Sequence, residues 1–131
     1  MQIMEFKEES TMINVKQSDA LNAFYAIHPL MRQRMPKQKA LELYNLRLIL
    51  QKQFDFQVEQ EQNIIQELGG TVDEHGAVQC GTKEKNLEFQ RQKQELFDLE
   101  LQLEANEVDL SHVDVEVTPE DIGTLKGFVK L

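Results

Sequence analysis

The side chains best suited to chemistry gather around residue 80. Cys80 is the only cysteine, and His75, Lys83 and Lys85 stand within five residues of it. A thiol becomes a nucleophile when a base or a positive charge helps it ionise, so a thiol-dependent activity at Cys80 is one reading of this chain. Against it, no third residue is evident to orient His75, and residues 69–81 read as an exposed turn. Asp73, Glu74 and His75 are adjacent, with Cys80 nearby, but a zinc site takes four well-spaced ligands, and this is a fragment of one. His28 and His112 lie far away in sequence, and no His-x-x-x-His pair exists. No Gly-x-Gly-x-x-Gly or Walker-type loop is present. Carboxylate pairs are abundant, as on any charged helix surface, and without a pocket they imply no acid–base chemistry. The expectation is a protein that is not an enzyme and has no catalytic residues, no metal and no cofactor.

The elements that would position such residues are more informative than the residues. Residues 36–68 read as one uninterrupted helix, about 50 Å long at 1.5 Å per residue. A compact chain of 131 residues has a radius of gyration near ~14 Å, so a solid ball would be about 36 Å across. The helix must overhang its own domain or pack on something else. Pro36 suits its first position, where a missing amide hydrogen is harmless, and Gly69-Gly70 stops it. Leu43, Leu46, Leu50, Phe54, Val58, Ile65 and Leu68 form a stripe at helical spacing. Leu41, Tyr44, Leu48 and Ile49 widen the apolar surface over the first half, which is expected to be buried on more than one side.

The rest of the chain frames that helix. Residues 3–7 and 12–16 alternate apolar with polar and suit a β-hairpin. Ser18-Asp19 offers a cap for a helix carrying Ala20, Phe24 and Ile27, which Pro29 interrupts; a short second piece over 29–34 follows. A small hairpin is expected over 71–79, turning at His75-Gly76. Thr82 caps a second long helix, expected to run to Asn106 with Phe89, Leu96, Leu99 and Leu103 on its stripe. Residues 97–103 also alternate as a strand would, but the wealth of Glu, Gln and Leu favours helix. The two long helices, joined by a short turn, would run antiparallel. Val113, Val115 and Val117 alternate with acids and read as a strand. Thr118-Pro119-Glu120-Asp121 starts a last short helix with Ile122, Leu125 and Val129.

The expected fold is α+β: a long antiparallel helical hairpin, a small β-sheet made of the N-terminal hairpin and strand 113–117, and a short C-terminal helix. One domain over 1–131 is expected, divided into 1–35, the helical hairpin 36–107 and the ending 108–131.

Net charge is −9, and its placement matters. Residues 16–52 hold seven basic residues against two acids, whereas residues 95–121 hold ten acids and no Lys or Arg. An acidic chain repels the phosphate backbone, which argues against nucleic acid as a partner. Pairing of Lys37, Lys39 and Arg47 with Glu100, Glu104 and Glu107 across the hairpin is the expected use of the basic stretch. No apolar run is long enough for a membrane span, the first residues lack the pattern of a signal peptide, and a lone cysteine suits a reducing compartment. A cytoplasmic setting without a membrane partner is expected. The fifteen Gln residues are scattered among charges and read as wet helix faces.

The ending Asp109-Leu110-Ser111-His112-Val113-Asp114-Val115-Glu116-Val117-Thr118-Pro119-Glu120-Asp121, after an N-terminal strand, a capped helix and a helical hairpin, resembles a family of small uncharacterised proteins, a domain of unknown function, from phages and prophages of Gram-positive bacteria. The resemblance implies a phage origin and a non-enzymatic role in the particle or its assembly, in the host cytoplasm or associated with the virion. It supplies no functional residues. The order long helix, small hairpin, long helix is also similar to prefoldin-type chaperone subunits, which implies client or host-protein binding; the N-terminal hairpin, the helix around Phe24 and the C-terminal strand and helix depart from that plan. A two-helix arm has little interior in which to hide a full apolar stripe. Phe54, Val58, Ile64, Ile65, Leu68, Phe89 and Leu96 are therefore the expected protein-contact residues, toward other copies in a homo-oligomer or toward a phage or host protein.

Overall fold

The computed structural model describes residues 12–131, and the strand expected over 3–7 lies outside them. Strand β1 (Met12–Lys16) leads into helix α1 (Gln17–Ala26), a single-turn helix α2 (His28–Met31) and the long helix α3 (Lys37–Glu67). A hairpin of β2 (Thr71–Val72) and β3 (Val78–Gln79) precedes helix α4 (Lys83–Phe97). Strands β4 (Glu100–Glu104) and β5 (Val108–Asp109), helix α5 (Pro119–Leu125) and strand β6 (Val129–Lys130) complete the chain. The fold is α+β, dominated by a helix of 31 residues.

Local chemistry explains most boundaries. Thr82 Oγ1 accepts from Lys85 N at 3.1 Å and Thr118 Oγ1 accepts from Asp121 N at 3.1 Å, so both expected caps are made. The cap of α1 lies earlier than Ser18: Asp19 accepts from the backbone N–H of Lys16 at 3.2 Å. At the end of α3, Gly69 adopts φ +69°, and Gly70 N donates back to Ile65 O at 2.8 Å, which closes the helix in left-handed fashion.

Three expectations give way to the structure. Helix α4 does not reach Asn106; it stops at Phe97, and residues 100–104 form β4, antiparallel to β1 with Ile13 opposite Leu103 and Val15 opposite Leu101. The exposed backbone edge of β1 overrides helix propensity there, since pairing buries Ile13 and Leu103 together. Residues 113–117 are not a strand. Their backbone is held by a side chain instead: Gln33 donates to Glu116 O at 2.6 Å and accepts from Glu116 N at 2.8 Å. The last helix ends at Leu125, and Val129 belongs to β6, parallel to β5, where Val108 N donates to Phe128 O at 2.9 Å. The single three-stranded sheet is replaced, among the described residues, by three two-stranded pairs.

The main core lies between α1, α2, the first half of α3, β1, β4 and the C-terminal elements. Ala20, Ala23, Ile27, Leu30, Leu43, Leu46, Leu50, Leu110, Leu125 and Phe128 are buried in it. Beyond it, the second half of α3 and α4 form an arm with a separate small core of Ile64, Cys80 and Phe89. No helix among the described residues is long and apolar enough to cross a membrane.

Candidate functional site

Helix α3 changes character along its length. Leu43, Leu46 and Leu50 face the main core and are almost fully buried. A helix turns 100° per residue, so Leu48 lies roughly 200° around from Leu50. Leu41, Tyr44 and Leu48 accordingly stand on the opposite face and are 48 %, 49 % and 41 % exposed. The expectation that this half is buried on several sides is corrected: one side is core, Ile49 is half-buried, and the outer side carries three large apolar groups in water. These are the residues that the sequence reading missed as a site. Their signal was present as spacings of three and four, 41–44–48, but that stripe was merged with the core stripe.

Arm and base meet at a polar layer. Gln17 is fully buried, and its Nε2 donates to Gln53 O at 2.9 Å and to Gln57 Oε1 at 3.3 Å. Gln57, also buried, passes its own amide to Glu61 at 2.7 Å. Gln17 Oε1 is buried without a donor among the described residues. A buried amide pair fixes the register of the elements that share it, since any slip leaves its donors unpaired.

The seven expected contact residues divide between the two regions. Phe54 is half-buried on the main core and stacks on Phe24, with ring centroids 4.9 Å apart. Ile64 and Phe89 are interior to the arm, and Ile65, Leu68 and Leu96 are half-buried against them. Val58 is 40 % exposed. Leu96 and Leu99 line a shallow groove between α3 and α4 with Gln60 and Glu67.

Cys80 is not on an exposed turn. It is 3 % exposed beneath Ile64 and Phe89, and its N–H donates to Asn86 at 2.7 Å. His75 is at the hairpin tip, where Asp73 accepts from the N–H groups of His75 and Ala77 at 2.8 Å each. The two are therefore held apart, one inside the arm and one in water. Among the described residues, no three His, Cys, Asp or Glu side chains gather as a metal site would need.

Among the described residues, the expected pairing of Lys37, Lys39 and Arg47 with Glu100, Glu104 and Glu107 is not made, and most ion pairs are local. Arg91 binds Glu88 and Glu95 on its own helix, and Lys93 reaches Glu61 on α3 at 3.9 Å. Hydrogen bonds from Arg91 and Gln92 hold the Glu88 carboxyl down at about 2, and Glu88 in turn raises Arg91. Asp109 is lowered chiefly by hydrogen bonds from Ser111, with Lys130 and Lys39 adding attraction. Arg47 lies over the Phe24 ring at 5.5 Å. Because β4 folds back on β1, Glu100 stands opposite Lys16, and Glu104, which lines a groove with Gln38 and Glu42, makes no ion pair with Lys37, Lys39 or Arg47.

No protein-family model, no curated protein and no solved structure matches the chain.

Proposed function

We propose that this chain is a non-enzymatic interaction protein, phage-derived and working in assembly, that binds protein through the surface of its long helix. The observation that carries the proposal is the outer face of α3, where Leu41, Tyr44 and Leu48 stand in water on the side away from the core. A single exposed apolar residue is ordinary, but three consecutive ones on one helix line make a patch that costs solubility unless something covers it. The regular helix beneath them presents the patch rigidly, so binding orders little backbone. The resemblance of the C-terminal stretch to phage proteins supports the assembly setting. Buried Cys80, with His75 held apart from it, lends no support to a thiol chemistry.

The test is a photo-cross-linking residue placed at Leu48 in cells that make the protein, compared with the same residue at exposed Gln90 on α4. The expected result is a discrete protein adduct from position 48 and none from position 90. Equal yields at both positions would defeat the reading.

A further inference from the structure

The outer face of α3 continues past its apolar centre in both directions. Lys37, Leu41, Tyr44, Leu48, Lys52, Asp55 and Glu59 succeed one another at steps of three or four residues, which places them on one line of the helix. All seven are exposed. The line runs over 22 residue steps, about 33 Å or six turns. Its character changes along the way: basic at Lys37, apolar through Leu48, basic again at Lys52, then acidic at Asp55 and Glu59.

We infer that this line is the contact between two copies of the chain, their α3 helices antiparallel about a two-fold axis close to Leu48. The inference rests on reading the outer face of α3 as the working surface, and names the occupant of that surface. A two-fold contact must be complementary to its own reversal. Reversed about Leu48, Lys37 meets Glu59 of the second copy, Leu41 meets Asp55, Tyr44 meets Lys52, and Leu48 meets itself. Each end thus brings a cation opposite an anion, each Lys52 lies over a tyrosine ring of the other copy, and the leucine centre closes the middle. The parallel arrangement would instead set Lys37 on Lys37 and Glu59 on Glu59.

The self-complementary order of charges along the line favours a second copy over a different protein, and it must offset the long-range repulsion between two chains of net charge −9. Lys37, Lys52 and Glu59 have no ion-pair partner among the described residues, and Asp55 accepts only from Gln51 at 3.1 Å. Among the described residues, the charges that a reversed copy would use are therefore not engaged in ion pairs. The arm offers no obstruction, because Gln57 and Ile64, by which α3 meets α1 and α4, lie on the far side of the helix.

The experiment is light scattering of the full chain over a hundredfold range of concentration at low salt, with charge-exchange variants. A mass rising from 15.3 kDa to twice that value is expected. Lys37→Glu and Glu59→Lys should each raise the dissociation constant about tenfold, since each reverses two symmetry-related pairs. Mixing these two variants should restore the dimer, because the exchanged charges then face each other correctly at both ends. Leu48→Glu should abolish the dimer with helix content unchanged by circular dichroism. A monomer at every concentration overturns the inference. So does a dimer indifferent to these changes, or one that mixing fails to restore. If the chain is a monomer, the cross-linker at position 48 separates the two ideas: an adduct with another protein leaves the binding surface standing, and no adduct removes both.

Discussion

The base and the arm are built from the same kinds of residue but are held by different means. In the base, seventeen buried residues among those described, from helices, strands and the C-terminal segment, close around one another. The arm has three, Ile64, Cys80 and Phe89, with four half-buried neighbours. Two helices alone can cover a seam but cannot enclose a volume, so the arm depends on backbone closure at its tip and a cap at Thr82, with only minor help from the ion pairs of Arg91 and Lys93. The Gln17–Gln57 layer marks where one regime gives way to the other. Hydrophobic burial therefore sets the stability of the base, while local turn and cap chemistry decides whether the arm forms at all.

The sharpest break in this comparison comes from cavities. Leu50→Ala should lower the stability of the whole chain by about 3–4 kcal/mol, seen as a shift of the denaturation midpoint. Phe89→Ala removes a still larger group, yet its loss of about 3 kcal/mol should fall on the arm. Hydrogen exchange would then quicken in α4 and the distal half of α3 while amides of α1 keep their protection. Uniform quickening would mean that base and arm unfold as one unit.

A smaller effect tests the closure of the arm. A Cβ on Gly70 would stand 2.9 Å from Cys80 Sγ and 3.1 Å from Gln79 O. Gly70→Ala should therefore cost about 1–3 kcal/mol through overpacking. Gly69→Ala meets nothing within 4 Å but must hold φ +69°, costing about 1 kcal/mol. Chemical denaturation of the two variants should rank Gly70→Ala as the more harmful, and the reverse order would show that backbone conformation outweighs contact with Cys80.

The smallest effect is electrostatic. The Glu88 carboxyl titrates at about 2 in the folded chain against an ordinary 4.5. Its folded value is the lower one, so its contribution is present above about pH 4.5 and fades as pH falls toward 2. Carboxyl NMR should show this depressed titration, and Arg91→Gln should return Glu88 toward the ordinary value. The pair lies at the surface, open to solvent, which makes the effect on stability slight and sensitive to salt. An Arg91→Gln variant that left the titration unchanged would remove the ion pair from the account of the arm.

Much of the fold was legible residue by residue. Pro36 and Gly69-Gly70 delimited α3 to within a residue or two, Thr82 and Thr118 announced two further helices, and His75-Gly76 marked the small turn. These signals act within one or two helical turns, where sequence neighbours are also neighbours in space. The α+β class and the helical hairpin follow from them.

What the sequence left open involves partners far along the chain. Phe97, Leu99, Leu101 and Leu103 alternate as a strand does within a composition that favours helix, and β4 forms because β1, some 88 residues earlier in register, presents a backbone edge. The valines of 113–117 alternate as a strand does, but Gln33, 83 residues away from Glu116, supplies the hydrogen bonds a neighbouring strand would have given. Likewise, the amino-acid pattern of α3 shows apolar residues on two sides of its first half, and cannot rank them. Packing of α1, α2 and the C-terminal elements covers Leu43, Leu46 and Leu50 and leaves Leu41, Tyr44 and Leu48 in water. Local sequence determined which segments are helical, because capping and backbone stiffness are short-range. Tertiary structure alone decided which apolar face is core and which is surface, because burial depends on what else the chain brings to the same place.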